Sequence, residues 1–240
     1  MLKRIVDGIS HWAGIDVRRY PVKREIDVAR IHLLNEREIT VVLDVGANVG
    51  QYAQRLRALG YCRRMVSFEP LSAAFAELKS RSSLDAMWEC RQLALGASDQ
   101  PIALHVAENS FSSSLLPMTT LHQESAPDSK YLTQETVKMA CLDSLRAELL
   151  SQDDRVYLKL DVQGYELQAL RGAEKTLSQI QVIDTELSLA SLYEGQPSFG
   201  EMTDWLGDAG FDLVSLGTAF RDPKSGRLLQ LDGIFARRTS

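Results

Sequence analysis

Asp44, Gly46, Gly50 and Glu69 set out the chemistry open to this chain. In "LDVGANVGQYAQRL" two glycines follow an apolar run and lead into an amphipathic helix. Glycine lets the backbone turn sharply and approach a ligand, and free N–H groups at a helix start form a polar cradle. Asp44 puts a carboxylate where that ligand would lie, which repels phosphate and attracts an ammonium or accepts from hydroxyls. The spacing Gly46-Ala47-Asn48-Val49-Gly50 is not GxGxxG, so a dinucleotide pyrophosphate fits it less well. The next apolar run, "MVSFEP", ends on Glu69, where an acid can accept from both hydroxyls of a ribose. A ribose joined to a cationic amino acid meets both demands, and S-adenosylmethionine is such a ligand.

A sulfonium methyl is already activated, so a protein must align the acceptor and help remove its proton. Asp161, ending "RVYLKLD", is the first candidate for that proton, because open α/β sheets bind ligands at the C-terminal ends of their strands. Glu186, ending "VIDTE", is a second, and its neighbour Asp184 faces either way. His122, in a Ser-rich stretch, is a third if that stretch closes over the acceptor; of the others, His32 and His105 read as structural. No metal set is expected, since no HxxxH, HxH or acidic cluster has ligand spacing.

These residues need a scaffold, and the hydrophobic pattern supplies one. "TVVLDV", "RMVSFE", "WECRQLALG", "RVYLKLDV" and "IQVIDTEL" read as buried strands, with helical segments such as "LSAAFAELKSR" and "YELQALRGAEKTLSQ" between most of them. That alternation predicts a parallel sheet covered on both faces. After a further helix at "FGEMTDWLGDAG", "FDLVSLGTAF" and "LLQLDGIFARR" are joined by the turn-rich "RDPKSG", which predicts a hairpin and a mixed sheet edge. The expected organisation is an N-terminal helical segment over 1–39 and one α/β domain over 40–240. A Ser/Thr-rich insertion at about 107–136 reads as a lid or binding loop.

Composition narrows the partners. With 27 Lys and Arg against 32 Asp and Glu the net charge is -5, which gives no general reason to bind nucleic acid or an anionic membrane. Cys62, Cys90 and Cys141 lack CxxC spacing and read as reduced thiols of a cytoplasmic protein. No apolar run is long enough to span a membrane or to make a signal peptide. Homo-oligomerisation is left open.

The blocks "LDVGANVGQY", "SFEP", "LALG", "KLDVQGYELQALRGAEKTL" and "LDGIFARR" resemble, in order and spacing, the FkbM family of S-adenosylmethionine-dependent methyltransferases over about residues 40–238. The resemblance implies a Rossmann-like class I methyltransferase fold, a doubly wound seven-stranded mixed sheet in three α/β/α layers. It also implies methylation of a hydroxyl on a sugar, glycan or secondary metabolite. Carried over by position, Asp44, Gly46, Asn48 and Gly50 would line the methionine end, Glu69 the ribose, and Leu95 and Gly96 the adenine. Gln163 departs from the family, which often has Glu there. Two rivals stand beside this reading: a nucleotide-dependent oxidoreductase, disfavoured by Asp44 and the missing third glycine, and a non-catalytic cofactor-binding partner protein.

Overall fold

The computed structural model describes residues 25–239. His11 and the basic start of the chain lie outside the described residues. Eleven strands and seven α-helices follow in order: α1 (Glu25–Glu36), β1 (Val41–Val45), α2 (Gln51–Ala58), β2 (Arg64–Phe68), α3 (Ser72–Ser82), β3 (Trp88–Arg91), β4 (Ala94–Leu95), β5 (Ile102–Ala107), α4 (Thr120–Ser125), β6 (Tyr131–Val137), β7 (Met139–Ala140), α5 (Leu142–Leu149), β8 (Val156–Leu160), α6 (Glu166–Arg171), β9 (Ile180–Ser188), α7 (Phe199–Asp208), β10 (Phe211–Arg221) and β11 (Leu228–Arg237). Among the described residues no helix is long and apolar enough to cross a membrane.

Seven strands make one mixed sheet in the order β10-β11-β9-β8-β1-β2-β3. β1 is central and buried along its whole length, as a run of Val and Leu on a two-sided sheet requires. It pairs in parallel with β2 and β8, and β8 with β9. β11 runs antiparallel between β9 and β10, which gives the mixed edge expected of the terminal hairpin. Strand alternation splits the core into two layers. Val41, Leu43 and Val45 pack under α5, α6 and α7, while Val42 meets Ile26, Leu33, Ala53 and Leu56 of α1 and α2.

The segment "WECRQLALG" does not continue as one strand. β3 ends at Arg91, and β4 leaves the sheet to pair with β7. Around the expected insertion, β5 and β6 form an antiparallel ribbon that carries two 3-10 turns and α4 between its strands. The ribbon is fastened to the sheet edge: Asn48 Nδ2 donates to Ser110 at 3.0 Å, Ser114 to the Gln163 carbonyl at 2.7 Å and Tyr193 to the Ser112 carbonyl at 3.3 Å. The segment read from sequence as a lid or binding loop thus holds regular strand and helix. The alternating polar and apolar positions of a half-exposed ribbon hid it within a Ser/Thr-rich composition.

Candidate active site

A cavity of about 260 Å³ opens at the C-terminal ends of β1, β2, β8 and β9. Its floor is the turn after β1, where Gly46 has φ +75° and a side chain would meet the Asp161 carbonyl at 1.8 Å. Only glycine lets β1 and β8 approach there. Within the turn itself the N–H groups of residues 46–50 already have acceptors. Gly46 and Ala47 donate to the Phe68 carbonyl, Asn48 to Glu69, Val49 to the Asn48 side chain and Gly50 to the Ala47 carbonyl. Side chains therefore supply much of the polarity that faces the cavity.

Glu69 is the buried acid on one wall, only 4% exposed. Its two oxygens accept from the backbone N–H of Asn48 and of Leu71, both at 2.8 Å. Those donors favour its charge, but burial outweighs them and pushes its carboxyl up to about 7. Leu71, Leu95, Leu104, Phe111 and Leu115 give this end of the cavity an apolar lining suited to a flat heteroaromatic ring.

The opposite wall is a polar network. Asp161 follows β8, and Glu186 lies in β9 on the same face of the sheet. Gln163 joins them: its Nε2 donates at 2.7 Å to Asp161 Oδ1 and at 2.9 Å to Glu186 Oε2. Its Oε1 accepts from Tyr193 at 2.7 Å, which fixes the orientation of the amide. Gln230 donates to the same Glu186 oxygen at 3.0 Å. Gln163 sits at φ +53°, and Glu166 Oε1 accepts from the N–H groups of Val162 and Gly164, so the turn is held from both sides. Lys159, buried on β8, donates to Asp161 Oδ2 at 3.1 Å. Burial opposes its charge, yet Asp161 and Asp44 together hold its ammonium well above the usual lysine range. Burial first, then Asp161, Glu166 and Asp232, pushes the Glu186 carboxyl well above the carboxylate range.

Of the expected residues, Gly46, Asn48, Glu69, Leu95, Asp161 and Glu186 line this cavity. Four do not. Asp44 points to the α1 and α2 face of the sheet, where Ser67 donates to it at 3.1 Å and Lys159 lies 3.6 Å away, behind the cavity floor. Gly50, at φ +88°, starts α2, where a side chain would strike Trp88 and Leu78. Gly96 is pressed against Met139 and Tyr165. His122 lies under α4, stacked edge-on to Tyr193 and tilted against Phe220, away from the cavity. Burial lowers its pKa to about 4, so it stays neutral inside an aromatic cluster. Asp184 is likewise an anchor, accepting from Arg30, Tyr52 and Tyr157.

Sequence reasoning missed Lys159, Gln163, Tyr193 and Gln230. Lys159 had a signal, since it stands two residues before Asp161 and so on its face of the strand, and Gln163 had one in its departure from the family pattern.

A family model described as the methyltransferase FkbM domain matches residues 44–213. No curated protein sequence matches the chain. Similar solved structures include a methyltransferase FkbM from Methylobacillus flagellatus KT, at 13% identity and TM-score 0.47, covering 82% of this chain and 44% of that one. This chain thus spans less than half the length of that protein. An rRNA methylase from Streptococcus thermophilus aligns at 12% identity and TM-score 0.48, covering 91% and 99%. Magnesium protoporphyrin IX methyltransferase from Synechocystis PCC 6803, with bound SAM, aligns at 13% identity and TM-score 0.46, covering 96% and 91%.

Proposed function

The chain belongs to the FkbM methyltransferase family, and from that premise we propose that it transfers the methyl group of S-adenosylmethionine to a hydroxyl of a small hydroxylated acceptor. The observation that carries the reading is the opposition of two walls in one cavity, buried Glu69 beside an apolar lining and Asp161 beside Lys159.

S-adenosylmethionine supplies the activated methyl. Glu69, its oxygens already aimed by the Asn48 and Leu71 N–H groups, would accept from the ribose hydroxyls. Leu71, Leu95 and Phe111 would cover the adenine, and Asn48 and Gly46 would hold the methionine end. Asp161 would orient the acceptor hydroxyl and take up its proton, while Lys159 beside it steadies the carboxylate. Glu186, its carboxyl raised by burial and by the neighbouring acids, is held by Gln163 and Gln230 and leaves the base role to Asp161.

The test is Asp161→Asn, which keeps the shape and loses the charge. Turnover should fall by about 10²–10⁴-fold with little change in S-adenosylhomocysteine affinity. Retained turnover at saturating cofactor would remove Asp161 from the chemistry.

A further inference from the structure

The carboxamide of Gln163 is engaged on both sides. Its Nε2 donates to Asp161 and to Glu186, and its Oε1 accepts from the Tyr193 hydroxyl at 2.7 Å. The two ends of a carboxamide are almost alike in shape, so packing does not tell nitrogen from oxygen; the hydrogen-bond partners do. Turned over, the group would set Oε1 against the Asp161 carboxylate, acceptor facing acceptor. On the side away from the acids, Tyr193 is the partner that opposes this.

Tyr193 is placed to donate and is held in place. It is fully buried, and burial first, then Tyr131 and the nearby acids, keeps its phenol well above the ordinary tyrosine range, so the hydroxyl retains its hydrogen. Among the described residues its other acceptor is the Ser112 carbonyl, at 3.3 Å, and the hydrogen favours the nearer oxygen of Gln163. The ring has no room to swing away. Tyr193 forms a bridge to Met118, and its N–H donates to Gln196 Oε1 at 2.6 Å. The His122 ring stands edge-on at 5.0 Å, and Gly164 lies so close that a side chain there would meet Tyr193 Cβ at 3.1 Å. Met118 and His122 both belong to the segment between β5 and β6, so the ribbon insertion is what braces this ring. The cavity wall nevertheless holds Gln163 and not Tyr193.

We propose that Tyr193 is a positioning residue for methyl transfer: its hydroxyl, braced by the β5–β6 ribbon, sets the sense of the Gln163 carboxamide and through it the direction in which Asp161 meets the acceptor. The proposal rests on the methyltransferase reading and extends it to a residue outside the cavity. It gives the inserted ribbon a part in turnover other than covering the site.

The experiment compares native protein with Tyr193→Phe, Gln163→Ala, the double variant and His122→Leu. Tyr193→Phe keeps the ring and removes only the hydroxyl. Nuclear magnetic resonance of isotope-labelled protein reads the side-chain amide of Gln163, identified by its loss in Gln163→Ala. That signal should stand apart from those of solvated glutamines in native protein and in His122→Leu, and move toward them in Tyr193→Phe. Turnover is read with S-adenosylmethionine labelled in its methyl group and a panel of small hydroxylated compounds. In Tyr193→Phe kcat should fall by about three- to tenfold, the weight of one neutral hydrogen bond, while the KM of S-adenosylmethionine and the affinity for S-adenosylhomocysteine stay native. Because the hydroxyl acts through Gln163, the double variant should be no slower than Gln163→Ala alone. His122→Leu, which alters the packing around the same ring and leaves the hydroxyl, should keep the native kcat. An unmoved Gln163 signal in Tyr193→Phe would overturn the proposal, as would a native kcat in that variant or losses that multiply in the double variant. Should no compound take up label, the amide signal alone decides. Failure to bind S-adenosylhomocysteine at all would instead overturn the methyltransferase reading beneath it.

Discussion

Gln163 holds Asp161 and Glu186 in one frame: a single amide nitrogen donates to both carboxyl groups, at 2.7 and 2.9 Å. A neutral group thus does at this point what a cation would otherwise do between two acids. Gln163→Glu keeps the size and removes both donors while adding a third carboxyl. The melting temperature should fall, and millimolar Mg²⁺ should restore part of it, since three clustered carboxylates bind a hard cation. Native protein should show no such response. Thermal unfolding with and without Mg²⁺ decides this, and equal melting temperatures for the two proteins would show that the bridge contributes nothing.

In its proposed ribose-binding role Glu69 should couple cofactor binding to protons. Its carboxyl is raised to about 7 in the free protein, and ribose hydroxyls would donate to the charged form, so binding should draw the pKa down and release a proton. Affinity for S-adenosylhomocysteine should therefore rise with pH up to about 7 and then level, by up to about tenfold between pH 6 and 8. Calorimetry in buffers of different ionisation enthalpy reads the proton directly. Proton uptake, or no exchange below pH 7, would contradict it.

Gly46→Ala should be the most damaging glycine substitution of the β1 turn. Its side chain would meet backbone at 1.8 Å, whereas at Gly60, also at positive φ, a side chain meets nothing within 4 Å. Gly60→Ala should cost only backbone strain, about 1–3 kcal/mol, and Gly46→Ala more than that, with loss of cofactor binding. Chemical denaturation of both variants gives the comparison, and equal costs would show that the turn relaxes freely.

His122, buried against Tyr193 and Phe220, should contribute to stability and not to turnover. Its pKa falls to about 4 on folding, from an unfolded value of about 6.5. The unfolded chain therefore binds more protons in that window, and the contribution is complete above pH 6.5 and lost as pH falls toward 4. His122→Leu should flatten this part of the stability profile while turnover per folded molecule stays native. An activity loss larger than the folded fraction explains would return His122 to the site.

The centre of the main sheet was legible because β1, β8 and β9 are rich in Val, Leu and Ile and lead into Gly, Asp or Glu. Asp161 and Glu186 stood out because they end such runs. What stayed hidden is non-local. Gln163 bridges to Glu186 only through the parallel pairing of β8 and β9, and Asp44 is turned from the cavity by an alternation whose sense depends on which helices cover which face. β4 and β7 are two residues each, too short for any periodicity, and the β5–β6 ribbon lay beneath a loop-like composition.

The central claim is that one cavity holds S-adenosylmethionine between Glu69 and Asp161. It is tested most directly by titrating native protein and Glu69→Ala with S-adenosylhomocysteine in a calorimeter at pH 8. One molecule should bind per native chain, and the variant, folded by circular dichroism, should bind about tenfold to a hundredfold more weakly, the loss expected when charge-assisted hydrogen bonds to the ribose are removed. Equal affinity in the two proteins, or binding of NAD with none of S-adenosylhomocysteine, would contradict the account.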